Sequence, residues 1–512
     1  MAFLSAAPNV RLTKAFSTPF QNVVATARTC YSGKGIVDDS QVGEPEKFAP
    51  LATSIYEAGH HTTFQHAHFQ FALSNVSRQF IWAFLHAHPF YNSEQVSQRY
   101  VTVKPDTVTV PELPAAQLVV YRECVERQFA DYKTLSDMLE PVTEAQYYRR
   151  FNRSERMEKK NAKAIEKKAQ EAARYVLPLA THAYLYHTVS GITLLRYHRA
   201  LEAADAPTEQ RFVVRRMVEE LLAHDPNYRI TLEEPLPPEA IPDLSVARPS
   251  LEESRRFCAA FDARLAGHTS HLRAHTPGGA ALVADAVREV LGLSPETLSD
   301  EAAIALALDP ARNTLLGESL NLTTHHKLSR ALHHVSFTFA KKLSHAADSQ
   351  DQRHRMTPAS RPWLGAQLHG EPDFVTPALI GSDAAVKQLY EDSMARTWDA
   401  INRLRGLGAT EETLLYLLPN AVSVRFTESS DLLNLRHKHQ MRLCYNAQEE
   451  IWNASVDEAR QIRAAVPELG RFLLPPCGVR ALARKKPICP EGPRYCGVRV
   501  WKLDMADYER LI

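Results

Sequence analysis

The sequence predicts a helix-rich α+β protein that contains two related halves. Two strand-like triplets support this prediction, FQF at residues 69–71 and FTF at residues 337–339, and a histidine precedes each of them by three residues. Longer stretches such as residues 117–140 carry apolar residues at helical spacing. Because motifs of both kinds recur in the same order in each half, the pattern indicates an internal duplication.

The domain organisation follows from length and from one proline-rich stretch. At 512 residues the chain is too long for one ordinary domain. Residues 233–250 are rich in proline and lack helical spacing, which is typical of a linker. We therefore predict a first domain at residues 1–234, a linker at residues 235–250 and a second domain at residues 251–470. Residues 471–512 are predicted to form a cysteine-containing C-terminal tail.

Composition restricts the classes of partner. The formal net charge of +1 gives no global attraction to nucleic acid or to a membrane surface. No apolar run reaches the roughly 18–20 residues that a membrane span needs, and the first residues lack the pattern of a signal peptide. Seven cysteines in a chain of this length do not indicate a disulfide framework. We expect a cytoplasmic protein that binds neither nucleic acid nor membrane.

Three adjacent titratable side chains point to a local anion site. Arg353, His354 and Arg355 follow one another, and Gln350 lies just upstream. Adjacent cations repel one another unless an anion lies between them, and arginine is the strongest protein partner for a phosphate. A nucleotide or a dinucleotide cofactor would supply such a charge.

These segments resemble the flavin-dependent thymidylate synthase family. The first half carries HHTTFQH at residues 60–66, SQRY at residues 97–100 and RYVLP at residues 174–178. The second half carries the RHR triplet at residues 353–355 and RLCYNAQEEI at residues 442–451. The resemblance implies two tandem synthase-like domains, each helix-rich with a small antiparallel sheet, that form a pseudo-dimer.

Neither half keeps the whole family signature. In the first half the triplet has become HAH or AHP within residues 86–89, and Gln65 replaces an acid. In the second half the Ser-x-Arg-Tyr element is lost from residues 356–364, and Leu415 replaces the arginine before Leu-Pro. Because the losses are complementary, we predict one composite site that draws residues from both halves.

The resemblance assigns roles to individual residues. It implies catalytic roles for Arg442, Gln350 and Ser97. It implies flavin contacts for six residues: Arg353, His354, Arg355, His60, Thr62 and Gln65. It implies substrate contacts for eight residues: Gln350, Arg353, Ser97, Gln98, Arg99, Tyr100, Arg174 and Arg442.

The implied activity is the reductive methylation of dUMP to dTMP. FAD would be the cofactor, with methylenetetrahydrofolate as carbon donor and NADPH as reductant. A related flavoenzyme that acts on another uridine nucleotide, or a catalytically inactive nucleotide- or flavin-binding homologue, are the alternatives. Since the family works as a homotetramer, a fused pair is expected to form a homodimer, which would be a pseudo-tetramer.

Four cysteines lie near or within the predicted tail: Cys444, Cys477, Cys489 and Cys496. Four thiols in a reducing compartment, within a segment rich in glycine and proline, indicate a structural zinc ion. Their spacing is irregular and contains no Cys-x-x-Cys pair. Free buried thiols are the alternative interpretation.

Overall fold

Two compact units make up the chain, in a computed structural model that describes residues 3–151, 153, 158–203 and 207–512. Unit 1 contains Met1–Glu126, Leu177–Arg248 and Asp399–Leu418. Unit 2 contains Arg127–Val176, Pro249–Trp398 and Pro419–Ile512. Both units are discontinuous in sequence, so the domain limits at residues 234, 250 and 470 stay a prediction.

Each unit contains one four-stranded antiparallel sheet. In unit 1 the spatial order is β1-β2-β4-β3, and in unit 2 it is β5-β6-β8-β7. The same order in both sheets confirms the predicted α+β class and the duplication. The strands are β1 (Asn9–Ala15), β2 (His68–Ser77), β3 (Asn92–Gln95), β4 (His182–Ser190), β5 (Ser270–His275), β6 (Ser336–Ser344), β7 (Ala359–Ser360) and β8 (Ser423–Asp431).

Helices supply most of the remaining regular structure. In chain order they are α1 (Pro19–Thr29), α2 (Pro45–Glu57), α3 (Arg78–His86), α4 (Ala115–Tyr147), α5 (Glu158–Ala173), α6 (Gly191–Arg199), α7 (Pro207–His224), α8 (Leu251–Arg264), α9 (Gly279–Leu291), α10 (Asp300–Leu308), α11 (His345–Asp351), α12 (Ala378–Gly381), α13 (Ala384–Gly406), α14 (Glu411–Leu417), α15 (Leu432–Arg442), α16 (Glu449–Ala465), α17 (Pro467–Gly470) and α18 (Pro476–Leu482). Among the helices that the structure describes, none is both long and apolar enough to cross a membrane.

The two strand-like triplets found in the sequence lie in the central strands β2 and β6. Phe69 and Phe71 are buried in the core of unit 1, and Phe337 and Phe339 in that of unit 2. Alternate residues of a strand point to opposite faces of the sheet, so this spacing places both aromatic rings of a triplet in one core. The Phe-x-Phe spacing that predicted these strands thus matches the spacing of their buried side chains.

Each central strand ends at a serine that caps the next helix. Ser77 Oγ accepts a hydrogen bond from the Phe80 amide in the first turn of α3. Ser344 Oγ accepts one from the Ala347 amide in the first turn of α11. Serine is among the best N-cap residues because its oxygen satisfies one of the unpaired amides of the first turn. The turn from strand to helix is therefore fixed at the same place in both units.

A buried glutamate and a tyrosine complete each of these turns. In unit 1, the Glu209 carboxylate accepts hydrogen bonds from Ser77 Oγ at 2.6 Å and from Tyr416 Oη at 2.9 Å. In unit 2, the Glu450 carboxylate accepts from Ser344 Oγ and from Tyr175 Oη, both at 2.5 Å. Each tyrosine comes from the half of the sequence that supplies fewer residues to its unit. The halves have therefore exchanged these two tyrosines.

Candidate functional site

The RHR triplet lies in the turn that follows α11. The His354 amide donates to the Asp351 carbonyl at 2.9 Å, and Thr357 Oγ1 donates to the His354 carbonyl at 2.7 Å, which fixes the turn on both sides. Arg353 is exposed, whereas His354 and Arg355 are half-buried. The turn thus presents two cations and one imidazole at the end of a short, capped helix.

Arg442 brings helix α15 to this turn. It is the last residue of α15, and its guanidinium donates to the backbone carbonyl of Gln350. Burial, followed by the positive charges of Arg442 and Lys438, holds the pKa of His354 well below its usual value. The imidazole is therefore neutral at neutral pH. Gln350 and Arg442, 92 positions apart, thus meet in unit 2 beside His354, and their role as site residues stays a prediction.

Arg436 was not found by sequence reasoning. It lies on α15, is only 3% exposed, and burial lowers its pKa to about 10. Its Nε and Nη2 atoms have no hydrogen-bond partner within the parts of the chain that the structure describes. Arg436 and Arg442 both contribute to the lowered pKa of His437, for which burial is the largest cause. A buried guanidinium without a carboxylate partner is costly, so this position favours an anionic ligand.

A buried ion network supports the end of α11. Lys341 Nζ lies 2.9 Å from Asp351 and 2.8 Å from Glu458, and Lys438 Nζ lies 2.8 Å from Asp351, with all four side chains fully buried. Although burial raises the pKa of the Asp351 carboxyl, the charges of Lys341 and Lys438 hold it well below its usual range. The last residue of α11 is thereby fixed just before the RHR turn.

Arg174 belongs to unit 2, although it comes from the first half of the sequence. It is 2% exposed and begins a short 3-10 turn, and its carbonyl accepts from Asn420 Nδ2 at 3.0 Å. Burial raises the pKa of Glu450, and the charge of Arg174 is among the contributions that oppose this rise. Arg174 therefore lies near the Ser344 turn that starts α11. Unit 2 thus gathers predicted residues from both halves.

The SQRY segment forms a turn in unit 1, just after the edge strand β3. The Tyr100 amide donates to the Ser97 carbonyl at 3.1 Å, and the Arg99 amide donates to Ser97 Oγ at 3.3 Å. Gln98 and Arg99 are buried and Tyr100 is exposed. The Arg99 guanidinium lies 5.4 Å from the centre of the Tyr100 ring.

The HHTTFQH segment also lies in unit 1. It contains a short 3-10 turn at Thr63–Gln65, anchored by the buried ring of Phe64. His60, Thr62 and Gln65 are all exposed. Their side chains face solvent, where a ligand can reach them. The predicted site residues thus fall into two groups, one in each unit, and their joint use as a composite site stays a prediction.

Residues 86–89 of unit 1, the position that the resemblance aligns with the RHR triplet, carry no arginine. His88 Nε2 lies 2.7 Å from Tyr197 Oη, and His187 Nε2 lies 3.1 Å from the same oxygen. Burial, with the nearby charge of Arg196, lowers the pKa of His88 to about 4, and burial lowers that of His187 to about 3. Both rings are neutral at neutral pH. The His88 position therefore lacks the charge that an anionic cofactor needs.

Unit 2, in turn, holds an arginine that is already neutralised. Arg361 follows the edge strand β7, as Arg99 follows β3. It pairs with the buried carboxylate of Asp348 through Nε at 3.0 Å and Nη2 at 2.8 Å, and its guanidinium lies 4.6 Å from the centre of the Phe426 ring. A bidentate pair of this kind leaves little positive charge for a ligand. This arginine also escaped the sequence analysis, because its partner is not predictable from spacing.

The four predicted zinc ligands lie together in unit 2. Cys444, Cys477, Cys489 and Cys496 line a single pocket with Pro475, Tyr495 and Trp501. None of the four forms a disulfide.

Two units with the same sheet order, one of them carrying a cluster of arginines, define a duplicated, helix-rich α+β protein. Comparison with known proteins makes the class specific. The profile of the family described as thymidylate synthase complementing protein matches residues 11–227 and again residues 271–468. The chain belongs to this family, as a tandem fusion of two copies.

Individual relatives carry one copy where this chain has two. A flavin-dependent thymidylate synthase of Geobacter sulfurreducens is 28% identical over 224 residues, which are 40% of this chain and 93% of the relative. One of Clostridium tetani is 28% identical over 221 residues, or 43% of this chain and 84% of the relative. A solved UMP/dUMP methylase from Streptomyces cacaoi, bound with 5-Br dUMP, matches with a TM-score of 0.32 and 18% identity, and covers 44% of this chain and 96% of its own.

Proposed function

We propose that this chain is an FAD-dependent thymidylate synthase. It would methylate dUMP reductively to dTMP, with methylenetetrahydrofolate as carbon donor and NADPH as reductant. The observation that carries the proposal is the arginine cluster of unit 2, above all the buried Arg436 with two unpartnered nitrogens. Such a charge is tolerated when a ligand neutralises it, and a nucleotide phosphate does so at close to two negative charges.

The residues of the RHR turn fit a flavin cofactor. FAD carries a diphosphate, and Arg353 and Arg355 supply two cations on one turn. His354 offers a neutral imidazole whose Nε2 atom has no hydrogen-bond partner within the described part of the chain, and this atom is suited to a ribose or ring contact. When bound, the flavin supplies the hydride chemistry that no amino-acid side chain can provide.

The protein's own task in this reaction is binding and charge stabilisation. Arg436 and Arg174 are the candidates for the nucleotide phosphate, because both are buried cations of unit 2. Gln350 offers an amide to the edge of the pyrimidine. Arg442, held in place by the Gln350 carbonyl, would stabilise negative charge that develops on the pyrimidine carbonyl oxygen. No protein nucleophile is required in this scheme.

The composite site is part of the same proposal. Three observations support it: Arg174 of the first half belongs to unit 2, Arg361 is neutralised by Asp348, and the His88 cluster of unit 1 is uncharged. The first half would supply the missing contacts through Ser97, Gln98, Arg99 and Tyr100, with His60, Thr62 and Gln65 toward the flavin. A homodimer, as a pseudo-tetramer, is the proposed assembly. The zinc ion of the tail would take no part in the chemistry.

A spectrum and an anaerobic assay test the function. The purified chain is examined for flavin absorbance and then incubated with dUMP, methylenetetrahydrofolate and NADPH without oxygen. We expect flavin absorbance and dTMP. Bound flavin without dTMP, but with methylation of another uridine nucleotide, would favour the related flavoenzyme. Nucleotide binding with neither flavin nor turnover would favour the inactive homologue.

A further inference from the structure

Four cysteines from three separate segments of unit 2 converge on one pocket. Cys444 follows the end of α15, Cys477 lies in the first turn of α18, and Cys489 and Cys496 lie in the loops beyond α18. We refer to these four residues as the tail cysteine cluster. The chain contains only seven cysteines, and the three others, Cys30, Cys124 and Cys258, do not line this pocket. Four of the seven thiols of the chain therefore lie around one pocket.

The four thiols are close enough to influence one another electrostatically. Burial raises the pKa of Cys477 to about 12, and the other three thiols of the cluster add to that rise. Burial raises the pKa of Cys444 to about 11, and Cys496 and Cys489 contribute in the same direction. Cys489 likewise adds to the raised pKa of Cys496, for which burial is the largest cause. Every pair of these four thiols is therefore close enough for an electrostatic interaction.

Backbone groups point at the sulfur atoms. Backbone groups of Asn446 and Gly478 form hydrogen bonds with the thiols of Cys444 and Cys477, respectively. Hydrogen bonds to ligand atoms are the usual outer shell of a metal site, because they orient the ligands and spread their charge.

Two glycine positions allow the tight turns around these cysteines. Gly497, directly after Cys496, has φ of +84°, and Gly492, between Cys489 and Cys496, has φ of +53°. Residues other than glycine rarely adopt such backbone angles. Turns of this kind let a short loop return both thiols to one pocket.

Another group of potential ligands in unit 2 has a different explanation. Cys258, His369 and Asp373 place their ligand atoms within 4.8 Å of one another, the only such trio among the residues that the structure describes. Asp373, however, is paired with Arg425 at 2.6 Å, and Arg425 also binds Asp262 at 2.7 Å. This trio is therefore part of an ion-pair network around a buried arginine.

Among the described residues, no three sulfur atoms of the tail cysteine cluster all lie within 4.8 Å of one another. Tetrahedral zinc–thiolate bonds of about 2.3 Å require sulfur separations of about 3.8 Å. Rotation of a cysteine about χ1 moves its sulfur between staggered positions at little cost. Metal binding would therefore require the thiols to turn toward one another within the pocket.

We propose that the tail cysteine cluster is a structural zinc site with four thiolate ligands. The metal would connect the loops after α18 to the end of α15, two residues after Arg442. It would hold in place a C-terminal segment that packs Val500, Met505 and Tyr508 into the apolar core of unit 2. The proposal concerns the fold of the tail, and its outcome is independent of the reaction proposed above.

Metal analysis of the full chain tests this site. The chain is purified under reducing conditions with zinc present, dialysed, and analysed for metal and for thiols. We expect about one zinc per chain, and seven thiols titratable after denaturation with chelator. Cys489→Ser and Cys496→Ser should each lose the zinc, whereas the control variants Cys258→Ser and Cys30→Ser should keep it.

A cobalt spectrum keeps the proposal testable if those variants fail to fold. The wild-type chain, stripped of metal and reloaded with Co²⁺, should show thiolate-to-cobalt charge-transfer bands of a four-sulfur site. Absence of both zinc and these bands would overturn the proposal. So would a thiol count below seven after denaturation with chelator, since this would indicate disulfides, or a loss of zinc in the Cys258→Ser control equal to that in Cys496→Ser.

Discussion

At the scale of single residues, burial affects the charge of Arg436 and of His354 differently. Arg436 keeps its charge although burial lowers its pKa to about 10. His354 loses its charge, since burial and neighbouring cations hold its pKa well below the usual value. An arginine is too strong a base to be neutralised by its surroundings, whereas an imidazole is not. The site therefore combines a permanent cation with a neutral hydrogen-bonding ring.

Replacement of Arg436 should affect binding and stability in opposite directions. Arg436→Met removes an unpaired buried charge, so we expect an unchanged or higher free energy of unfolding without ligand, by about 1–3 kcal/mol. Affinity for dUMP should fall at least about tenfold, because a charge-assisted hydrogen bond is lost. Urea unfolding and calorimetric titration with dUMP measure the two effects. Arg256→Met, at an exposed position of α8, is the matched control. Unchanged dUMP affinity in Arg436→Met would remove Arg436 from the site.

The buried histidines of unit 1 predict a pH dependence of stability. The pKa of His187 is about 3 in the folded state, against about 6.5 in the unfolded chain. The unfolded state therefore binds the proton more tightly, and the free energy of unfolding should fall as the pH drops from about 6.5 toward 3. His88, with a pKa of about 4, acts in the same direction.

Substitution of these histidines should flatten that dependence. In the double variant His88→Gln and His187→Gln, urea unfolding followed from pH 7 to pH 4 should lose about 1–3 kcal/mol less than the wild type, after allowance for partial exposure of His88. His66→Gln, at an exposed position, serves as control. An identical slope in the double variant and the wild type would show that these rings do not stay neutral in the fold.

At the scale of elements, α11 is positioned from both ends. Ser344 caps its first turn, and Asp351 at its last turn lies in the buried network with Lys341 and Lys438. A helix of seven residues has little stability of its own, so its position depends on these contacts. The position of the RHR turn therefore depends on the position of α11, which precedes it.

Removal of one buried lysine should therefore disturb the turn. Lys438→Met leaves Asp351 and Glu428 partly uncompensated in the core, and we expect a loss of about 3–5 kcal/mol in the free energy of unfolding, together with weaker flavin retention. Urea unfolding and the ratio of flavin to protein absorbance measure these effects. Lys387→Met, which breaks only an exposed pair with Glu391, should cost at most about 1 kcal/mol. Equal losses in the two variants would contradict a supporting role for the network.

At the scale of the whole molecule, the two copies retain different sequence motifs. Each unit keeps the turn of serine, glutamate and tyrosine, but unit 2 alone keeps the RHR triplet and the unit 1 side keeps SQRY. The proposed composite site would use both retained sets.

Substitutions in both halves test the composite site. Arg99→Ala and Arg353→Ala should each reduce turnover at least about 100-fold, because charge stabilisation lost at either position affects the same site. Since the proposed site lies within one chain, mixing the two variants should not restore activity. Restored turnover in the mixture would indicate a site shared between chains. Near-normal turnover in Arg99→Ala would contradict the composite site altogether, and Arg256→Ala is the control for an exposed arginine.

The sequence by itself determined the class of fold, the duplication and the position of the RHR triplet. Alternation of apolar residues and local capping are short-range properties, so β2, β6 and the helices that follow them were predictable from neighbouring residues. The family membership was also visible there, because RHR, SQRY and RYVLP are local motifs. Gln350, Arg442 and Arg174 were selected on the same local basis, and the structure places all three in unit 2.

Only the tertiary structure decided which charges remain available for a ligand. Arg436 and Arg361 are both arginines, yet one is buried with unpartnered nitrogens and the other is neutralised by Asp348. Tyr175 reaches Glu450 across 275 positions of sequence, and spacing along the chain gives no sign of that contact. Pairing and burial depend on residues that are distant in sequence. The electrostatic character of the site therefore emerges only when the segments are brought together.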